Sequence, residues 1–515
     1  MGKSFDIASY ESRISALFQR FRSVQTAGFT ADSYKPGLEG MQRLDAILEH
    51  PWEAYPCIHV AGTNGKGSVC SMLAAALSAG GGVWRQTAGQ CPDQAPLVGR
   101  GRALCPARMA CSENPAPGSS TTGKAMVGLY TSPHLLDFRE RMKIVSDDGF
   151  EMITREEVWE FLERYDSALE GLSFFEITTG MAFWWFGRRG VDAAVIETGL
   201  GGRLDSTNII TPAVSVVTSI GLDHCALLGS TRAAIAREKA GIFKNGIPAV
   251  VGVRDPETAP VFEEVAASVG APLVFAPDVP SFIFGTDSGD SLSGKPYSEA
   301  ELLAEMDLTG PCQDQNLHTV LVALSLSGYG LQIQKLPSGC LPGDFSLSRQ
   351  ENIRPLVSAI AESGKRTGLW GRWQKVSTAP EVICDIGHNP PALKENFARL
   401  EAMQADGRNI VMVYGIMADK DLDGIAPLIP AGIRIIATAP AGERSLPAPV
   451  LAERLTALRP DLDICLPETP GTSVQAAVRA ALTLARDLPK PLVYIGGSTF
   501  VVAEALPMFN EKTAK

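Results

Sequence analysis

The sequence has few of the features that mark secreted or membrane proteins. Its ten cysteines include no Cys-x-x-Cys pair, so neither a disulfide framework nor a common zinc site is expected. It has no run of about 18 uncharged apolar residues, which argues against a membrane span. The first residues, MGKSFDIASYESR, lack the apolar stretch that a secretory signal needs. We therefore expect a cytoplasmic protein with reduced thiols and no membrane partner.

Positive charge is also in deficit. The chain has 46 basic and 57 acidic residues, a formal net charge of −11. Proteins that bind the phosphate backbone of nucleic acids without sequence specificity are usually basic, so no nucleic-acid partner is expected. Apolar residues make up 45% and charged residues 20%, which excludes extensive disorder and indicates a globular protein with a large core. A chain of 515 residues has room for two or three domains.

Short apolar runs alternate with helical patterns through residues 57–253. Runs of this kind, bounded by loops and separated by helices, indicate parallel strands in βαβ units. The predicted strands are 57–60, 127–130, 193–196, 214–217 and 249–253. One helix is predicted over 68–79, directly after the first strand. Another is predicted after Thr154, which has Glu157 three residues on and so forms a capping box.

Two stretches interrupt this pattern. Residues 81–125 are rich in Gly, Pro, Ser and Ala, and an inserted surface loop explains them better than a metal or redox site. Residues about 334–370 contain a linker, after which strands and helices alternate again. The strands predicted there are 382–384, 410–413, 433–437 and 492–495. We therefore predict an N-terminal domain over 1–365 and a smaller C-terminal domain over 370–515.

The segment from His59 to Ser68 has the composition of a phosphate-binding loop. Its glycines let backbone N–H groups turn towards an anion, and Lys66 adds a full positive charge to the start of a helix. The strict P-loop pattern is not met, because Val60 replaces the first Gly and Gly67 separates Lys66 from Ser68. A turn that only packs a helix on a sheet is the alternative. The strand before the loop, the helix after it and the lysine favour phosphate.

Polar residues follow other predicted strands. Ligands collect at the carboxyl ends of parallel strands, so Glu197 is well placed to hold Mg²⁺, although a turn or capping acid is the commoner role. His224 also follows a strand, and a structural histidine is the alternative there. From the residues alone, Lys239 is a solvated lysine near a helix end. The segment DIGHNP at 385–390 fits either a nucleotide site or an Asx-type turn.

Taken together, these segments resemble the folylpolyglutamate synthase/dihydrofolate synthase family, a branch of the Mur-ligase-like, ATP-dependent amide ligases. The resemblance covers roughly residues 35–505 and keeps the family order. The matching segments are HVAGTNGKGS, YTSPHL, FFEITT, ETGLGGRLDSTN, SIGLDH, EKAGIFK, G-x-C-Q-x-x-N at 310–316, GRWQ, DIGHNP and GGSTFVVAE. The chain departs from the family pattern at Cys312 and Gly387, and in the insertion at 81–125, close to where folate substrates enter.

The resemblance implies an α/β fold. It consists of an N-terminal P-loop-type ATPase domain with a mostly parallel sheet and a smaller C-terminal Rossmann-like domain, with the active site in the cleft between them. The implied ATP contacts are Gly62, Thr63, Asn64, Gly65, Lys66, Gly67, Ser68, Gln313, Asn316, Arg372, Asp385 and His388. The implied Mg²⁺ ligands are Ser132, Glu197 and His224, for one or two ions. Lys239 is implied to be a carbamate, and Phe175 and Asp205 to lie near the pterin.

The implied reaction joins L-glutamate to a pteroate or folate carboxylate through an acyl phosphate made from ATP. Lys66, Lys239 and His224 are the residues expected to serve catalysis, and no cysteine nucleophile is needed. We expect a monomer that acts on both dihydropteroate and reduced folates. One alternative is a UDP-muramoyl amino-acid ligase of the same superfamily. Another is a nucleotide-binding protein without catalysis.

Overall fold

The computed structural model describes residues 6, 7, 10–12, 14, 37–79, 125–284, 297–327, 354–467 and 473–509. All but the last residue of the predicted insertion at 81–125 lies outside these ranges, as do residues 334–353 of the predicted linker. Two large sheets and one small antiparallel ribbon make up the β-structure of the described residues. Helices cover both large sheets and bury a separate core on each face.

The first sheet has eight strands in the order β4-β3-β2-β5-β1-β6-β7-β8. The β2–β3 and β3–β4 pairs are antiparallel, and the other pairs are parallel. The strands are β1 Cys57–Ala61, β2 Val127–Tyr130, β3 Met142–Ser146, β4 Gly149–Met152, β5 Ala193–Glu197, β6 Val214–Val217, β7 Ala249–Val251 and β8 Leu273–Phe275. The five predicted strands are confirmed, although β7 ends at Val251 rather than at residue 253.

Helices of this first region fall on both faces of the sheet. They are α1 Glu39–Ile47, α2 Lys66–Ala79, α3 Arg155–Arg164, α4 Phe174–Arg189, α5 Cys225–Leu228, α6 Arg232–Ala240, α7 Ala259–Val269, α8 Glu299–Glu305, α9 Gln313–Leu326, α10 Arg354–Ala361 and α11 Ser363–Thr367. The predicted capping box at the start of α3 is present, with Thr154 and Glu157 as partners. The ribbon pairs β9 Ile283–Phe284 with β10 Tyr297–Ser298.

Helix α2 is buried from Gly67 to Ser78. Its sequence, KGSVCSMLAAALSA, has no charged residue after Lys66, as expected of a helix that packs on all sides. It lies against α9, α10 and α11 as well as the sheet. Residues 354–367 fall within the predicted linker, but they form α10 and α11, because Leu356, Val357 and Ile360 complete the core around α2.

The second sheet has six strands in the order β11-β12-β16-β13-β14-β15. Only β11 runs antiparallel to its neighbour. Its strands are β11 Gln374–Thr378, β12 Glu381–Cys384, β13 Asn409–Tyr414, β14 Arg434–Ala437, β15 Asp463–Cys465 and β16 Pro491–Gly496. Its helices are α12 Pro390–Ala405, α13 Leu422–Ile425, α14 Ala448–Leu458, α15 Val474–Arg486 and α16 Thr499–Ala505. The fold class predicted from the sequence, two α/β domains with mostly parallel sheets, is confirmed.

The order of the first sheet brings the predicted site segments together. Strands β5, β1 and β6 are neighbours at its centre, and each runs in the same direction. The loop at Gly62, the carboxylate of Glu197 and the segment leading to His224 therefore leave the sheet at one edge. Ser132 leaves β2 at that same edge, since β2 is parallel to β5.

Candidate active site between the two domains

The loop after β1 turns tightly around its own backbone. Gly62 and Gly65 have φ angles of 152° and 87°, which favour glycine. A methyl group on Gly65 would lie 2.5 Å from Oδ1 of Asn316, so the approach of α9 also requires glycine. Nζ of Lys66 donates to the carbonyl of Gly62 at 3.0 Å. The lysine thus lies folded over the loop, at the start of a helix where an anion is favoured.

Glu197 faces this lysine from the end of β5. Its Oε1 lies 3.9 Å from Nζ of Lys66, and its Oε2 accepts from the backbone N–H of Ser132 at 3.3 Å. Burial raises the pKa of the Glu197 carboxyl, although Lys66 and the Ser132 N–H oppose that shift. A buried carboxylate is stable only when its negative charge is compensated. Lys66 lies 3.9 Å away, so a further cation beside Glu197 would be favourable.

Lys239, at the end of α6, is a second lysine beside the loop, and it is buried. Its Nζ donates to the carbonyl of Gly62 at 2.8 Å. Burial, assisted by the charge of Lys66, lowers the pKa of Lys239 to about 7. The interpretation as a solvated surface lysine is therefore wrong, because the segment that carries it packs beneath the loop rather than facing solvent.

His224 directs its ring towards its neighbour in the chain. The residue has a left-handed φ of 53°, and its Nε2 lies 3.8 Å from Oδ2 of Asp223. Burial lowers the pKa of His224 to about 4, so the ring is neutral at pH 7. Of the three implied metal ligands, the structure places Ser132 and Glu197 in direct contact, while the contact shown for His224 is with Asp223. Across the described ranges, no group of three or more His, Cys, Asp and Glu side chains could hold a metal ion.

Two polar residues of α9 reach the loop of residues 62–68, the predicted nucleotide loop. Nε2 of Gln313 donates to Oγ of Ser68 at 3.3 Å, and Nδ2 of Asn316 donates to Oε1 of Gln313 at 3.0 Å. Both side chains are buried. The predicted nucleotide residues of α9 therefore do lie against the loop, and Cys312 precedes them in a left-handed conformation with φ 64°.

The second domain places Arg372 over the same loop. A methyl group on Gly67 would lie 3.3 Å from Nη2 of Arg372. Its Nε is buried with no hydrogen-bond partner among the described residues. Asp385 does not face the loop directly: it accepts hydrogen bonds from Trp373 N at 2.8 Å and Gly387 N at 2.7 Å, and from Nδ2 of Asn396 at 2.6 Å. It thereby fixes the turn that carries Arg372.

The two domains enclose a cavity of about 260 Å³. The first domain lines it with residues of the nucleotide loop, an aromatic wall and polar groups, and the second domain closes the opposite side. Phe175 and Asp205, both predicted near a pterin, line it. Asp205 is buried and accepts from the backbone N–H groups of Leu200 and Thr207 at 2.8 and 3.0 Å, so part of its role is to shape the turn after β5.

Four charged cavity residues escaped the sequence analysis. Arg141 is buried and stacks over Phe174 at 5.4 Å, on the aromatic side. Lys420 and Arg444 line it from the second domain, and Asp223 lines it from the loop after β6 of the first domain. Lys420 and Arg444 follow β13 and β14, so their position at the carboxyl edge of the second sheet was the signal that could have revealed them. None of the helices in the described part of the chain has the length and apolarity that a membrane crossing requires.

Fold and site define a two-domain α/β protein of the Mur-ligase type. Residues 371–499 match the family model described as Mur ligase, glutamate ligase domain. The chain is 32% identical over 368 residues to the dihydrofolate synthase/folylpolyglutamate synthase of Escherichia coli K12, covering 71% of this chain and 68% of the relative. It therefore belongs to the folylpolyglutamate synthase/dihydrofolate synthase family.

Other relatives agree with this assignment. The chain is 32% identical over 483 residues to the probable bifunctional folylpolyglutamate synthase/dihydropteroate synthase of Haloferax volcanii, covering 92% of this chain but only 48% of that relative. It thus spans about half the length of that protein. The structure of E. coli FolC with DHPP and ADP superposes with a TM-score of 0.68, 26% identity and 98% coverage of both chains. The Yersinia pestis enzyme with AMPPNP and a Mn ion gives 0.66, 25% identity and 97% of both.

Proposed function

We propose that this protein is an ATP-dependent ligase that joins L-glutamate to the carboxylate of a pteroate or folate substrate, acting on both dihydropteroate and reduced folates. The observation that carries the proposal is the cavity between the domains. One wall holds a lysine-bearing nucleotide loop and an aromatic surface, and the other holds two further cations. A single chain supplies both walls, which supports a monomer. Its need for ATP supports a cytoplasmic setting.

The chemistry requires activation because a carboxylate is a poor electrophile. The γ-phosphoryl group of ATP passes to the substrate carboxylate and gives an acyl phosphate and ADP. The neutral amine of glutamate then attacks the acyl carbon, the C–O bond to phosphate breaks, and inorganic phosphate leaves. The proton lost from the amine passes to solvent or to phosphate. Catalysis of this kind depends on positioning and on charge stabilisation rather than on a covalent enzyme intermediate.

The nucleotide residues counter the repulsion between two anionic reactants. Lys66 already lies over the loop, and Arg372 approaches the same loop from the second domain. The buried Nε of Arg372 leaves a donor for a phosphate oxygen. Ser132 and Glu197 offer the hard oxygen ligands that Mg²⁺ prefers. When bound there, the ion would neutralise phosphate charge.

The two ends of the cavity suit two different substrates. Phe174 and Phe175 form an apolar surface for a planar ring, and Arg141 stacks beside them. Lys420 and Arg444 line the cavity from the second domain and would add positive charge for the carboxylates of glutamate. Within the protein they pair with Asp223 and Asp419, each at 2.8 Å. This arrangement favours a folate substrate, because the aromatic wall fits a pterin, and it gives no comparable support to a UDP-muramoyl sugar.

Lys239 is proposed to carry a carbamate. Formation of a carbamate needs a neutral amine, which attacks the carbon of CO₂ and releases one proton. A pKa near 7 leaves a large neutral fraction under physiological conditions. The product would be an anion beside Lys66. It would replace a second positive charge next to that lysine with a negative one.

The test is an assay with purified protein, ATP, Mg²⁺ and glutamate, offering dihydropteroate, a tetrahydrofolate and a UDP-muramoyl substrate in separate reactions. We expect ADP release with the first two only. The variant Lys66→Ala should abolish ligation and leave the thermal unfolding midpoint nearly unchanged. Turnover of the UDP-muramoyl substrate alone, or nucleotide binding with no turnover of any, would contradict the proposal.

A further inference from the structure

Asp223, in the loop after β6, makes contacts across the cleft with one carboxylate. Its Oδ1 accepts from Nζ of Lys420 at 2.8 Å, and its Oδ2 accepts from Nδ2 of Asn389 at 3.0 Å. Nε2 of His388 lies 3.7 Å from the same Oδ2. These three partners all belong to the second domain. Within the first domain, the backbone N–H of His224 donates to Oδ1 at 2.9 Å, so the carboxylate is also tied to its own loop.

The carboxylate of Asp223 is largely shielded from water in this arrangement. Its side chain is only 12% exposed, and that of Lys420 11%, so water screens the pair weakly. Removing one partner of a buried charged pair leaves the other charge uncompensated.

The neighbouring contacts across the cleft are uncharged. Asn64 and Asn389 exchange amide hydrogen bonds of 3.2 and 3.1 Å between the nucleotide loop and the start of α12. A methyl group on Gly221 would lie 2.8 Å from Cγ of Pro391, so the backbone at Gly221 packs closely against the proline ring. Asp223 is therefore the charged centre of a contact that touches the nucleotide loop and lines the cavity.

We propose that Asp223 is a positioning residue, which holds the two domains closed and keeps His388 and Lys420 at the wall of the cavity. The predicted effect on catalysis rests on the proposed function. The predicted effect on domain closure rests on the contacts alone. Closure matters because an acyl phosphate exposed to water is hydrolysed: water attacks the acyl carbon and phosphate leaves, so ATP is spent without ligation.

The decisive variant is Asp223→Asn, which keeps the size of the side chain and removes its charge. The matched control is Asp463→Asn, which removes the same charge from the exposed Arg434–Asp463 pair at the far edge of the second sheet. Small-angle X-ray scattering of the full chain with ADP and Mg²⁺ measures closure without reference to activity. We expect a larger radius of gyration for Asp223→Asn and the wild-type value for the control.

The catalytic readout is the ratio of ADP released to ligated product. In wild type the ratio should be close to one. In Asp223→Asn it should rise several-fold and kcat should fall at least about tenfold, with little change in the affinity for ADP. A merely structural defect would lower ADP release and product together and leave the ratio unchanged.

Failure of the two proposals can be told apart. If wild type ligates no glutamate, the proposed function fails, and the scattering comparison still tests the role of Asp223. If Asp223→Asn does not fold, Lys420→Met removes the charge from the other side of the pair and should give the same expansion. A wild-type radius of gyration with an unchanged ADP-to-product ratio in Asp223→Asn would overturn the inference. If Lys420→Met is the variant that folds, a wild-type radius of gyration alone would overturn it.

Discussion

Asp385→Asn separates two roles that one carboxylate could have in this site. The resemblance to the family implies a nucleotide contact, whereas the structure shows three hydrogen bonds within the protein, from Trp373, Gly387 and Asn396. An asparagine can keep an oxygen towards Gly387 and Asn396. Its NH₂ group would then face the backbone N–H of Trp373. Both groups are donors, so the hydrogen bond from Trp373 would be lost. The turn that carries Arg372 would lose its anchor.

The size of the effect follows from that lost bond. A hydrogen bond to a charged acceptor contributes about 1.5–3 kcal/mol. Trp373 sits at φ 48°, and left-handed backbone costs a bulky residue about 1–2 kcal/mol. The bond from Asp385 is thus of the size needed to offset that strain. Losing about 2 kcal/mol of preference for the native turn predicts a fall of about 30-fold in kcat/KM.

The assay measures kcat/KM for ATP together with the thermal unfolding midpoint, for Asp385→Asn and for Arg372→Ala. If Asp385 acts by positioning, a double variant should be scarcely worse than Arg372→Ala alone, because both changes disable the same guanidinium. The reasoning would be refuted if the losses of kcat/KM added fully in the double variant. It would also be refuted if kcat/KM of Asp385→Asn lay within about twofold of wild type.

Three further predictions concern buried ionisable groups. Glu197→Gln should raise the Mg²⁺ concentration needed for half-maximal activity severely, and an unchanged Mg²⁺ titration would argue for a structural role. Carbamate on Lys239 should increase as pH rises through about 7, and a ¹³C-labelled CO₂ signal that persists in Lys239→Met would contradict it. His59 is buried with its pKa lowered to about 3 from 6.5, first by burial and then by Lys244, so the unfolded state binds more protons in that window. The free energy of unfolding should therefore fall on acidification between those values by up to about 1.4 kcal/mol per pH unit, and His59→Gln, followed by urea titration at several pH values, should flatten that slope.

The elements that the sequence predicted best are those with a strong local signal. Each of the five strands predicted in the first region is a short apolar run, and all five are present. They could be predicted because parallel strands covered on both faces are apolar along their length. The loop at Gly62 could be placed from its glycines and its lysine alone. The helices at 354–367 were not predicted because their apolar residues pack against α2. That contact between distant parts of the chain leaves no local signal in the sequence.

Side-chain environment was harder to predict than element type. Nothing local distinguishes Lys239 from a surface lysine, since its burial depends on the segment beneath the nucleotide loop. Asp223 lay inside a recognised motif, yet its partners Lys420 and Asn389 are far away in the chain. Contacts between domains depend on how two independently patterned regions meet, and periodicity carries no information about that.

The burial of α2 decides which part of the molecule can move. A helix packed on every side cannot slide or rotate without opening the core, so the nucleotide loop at its first turn is anchored to the least deformable element of the first domain. Ala74, Ala75 and Ala76 are all fully buried, so a larger side chain at any of them would push α2, and the loop at Gly62 with it, out of position. In the proposed ligase, the movement that admits and releases substrates would therefore belong to the second sheet and its helices.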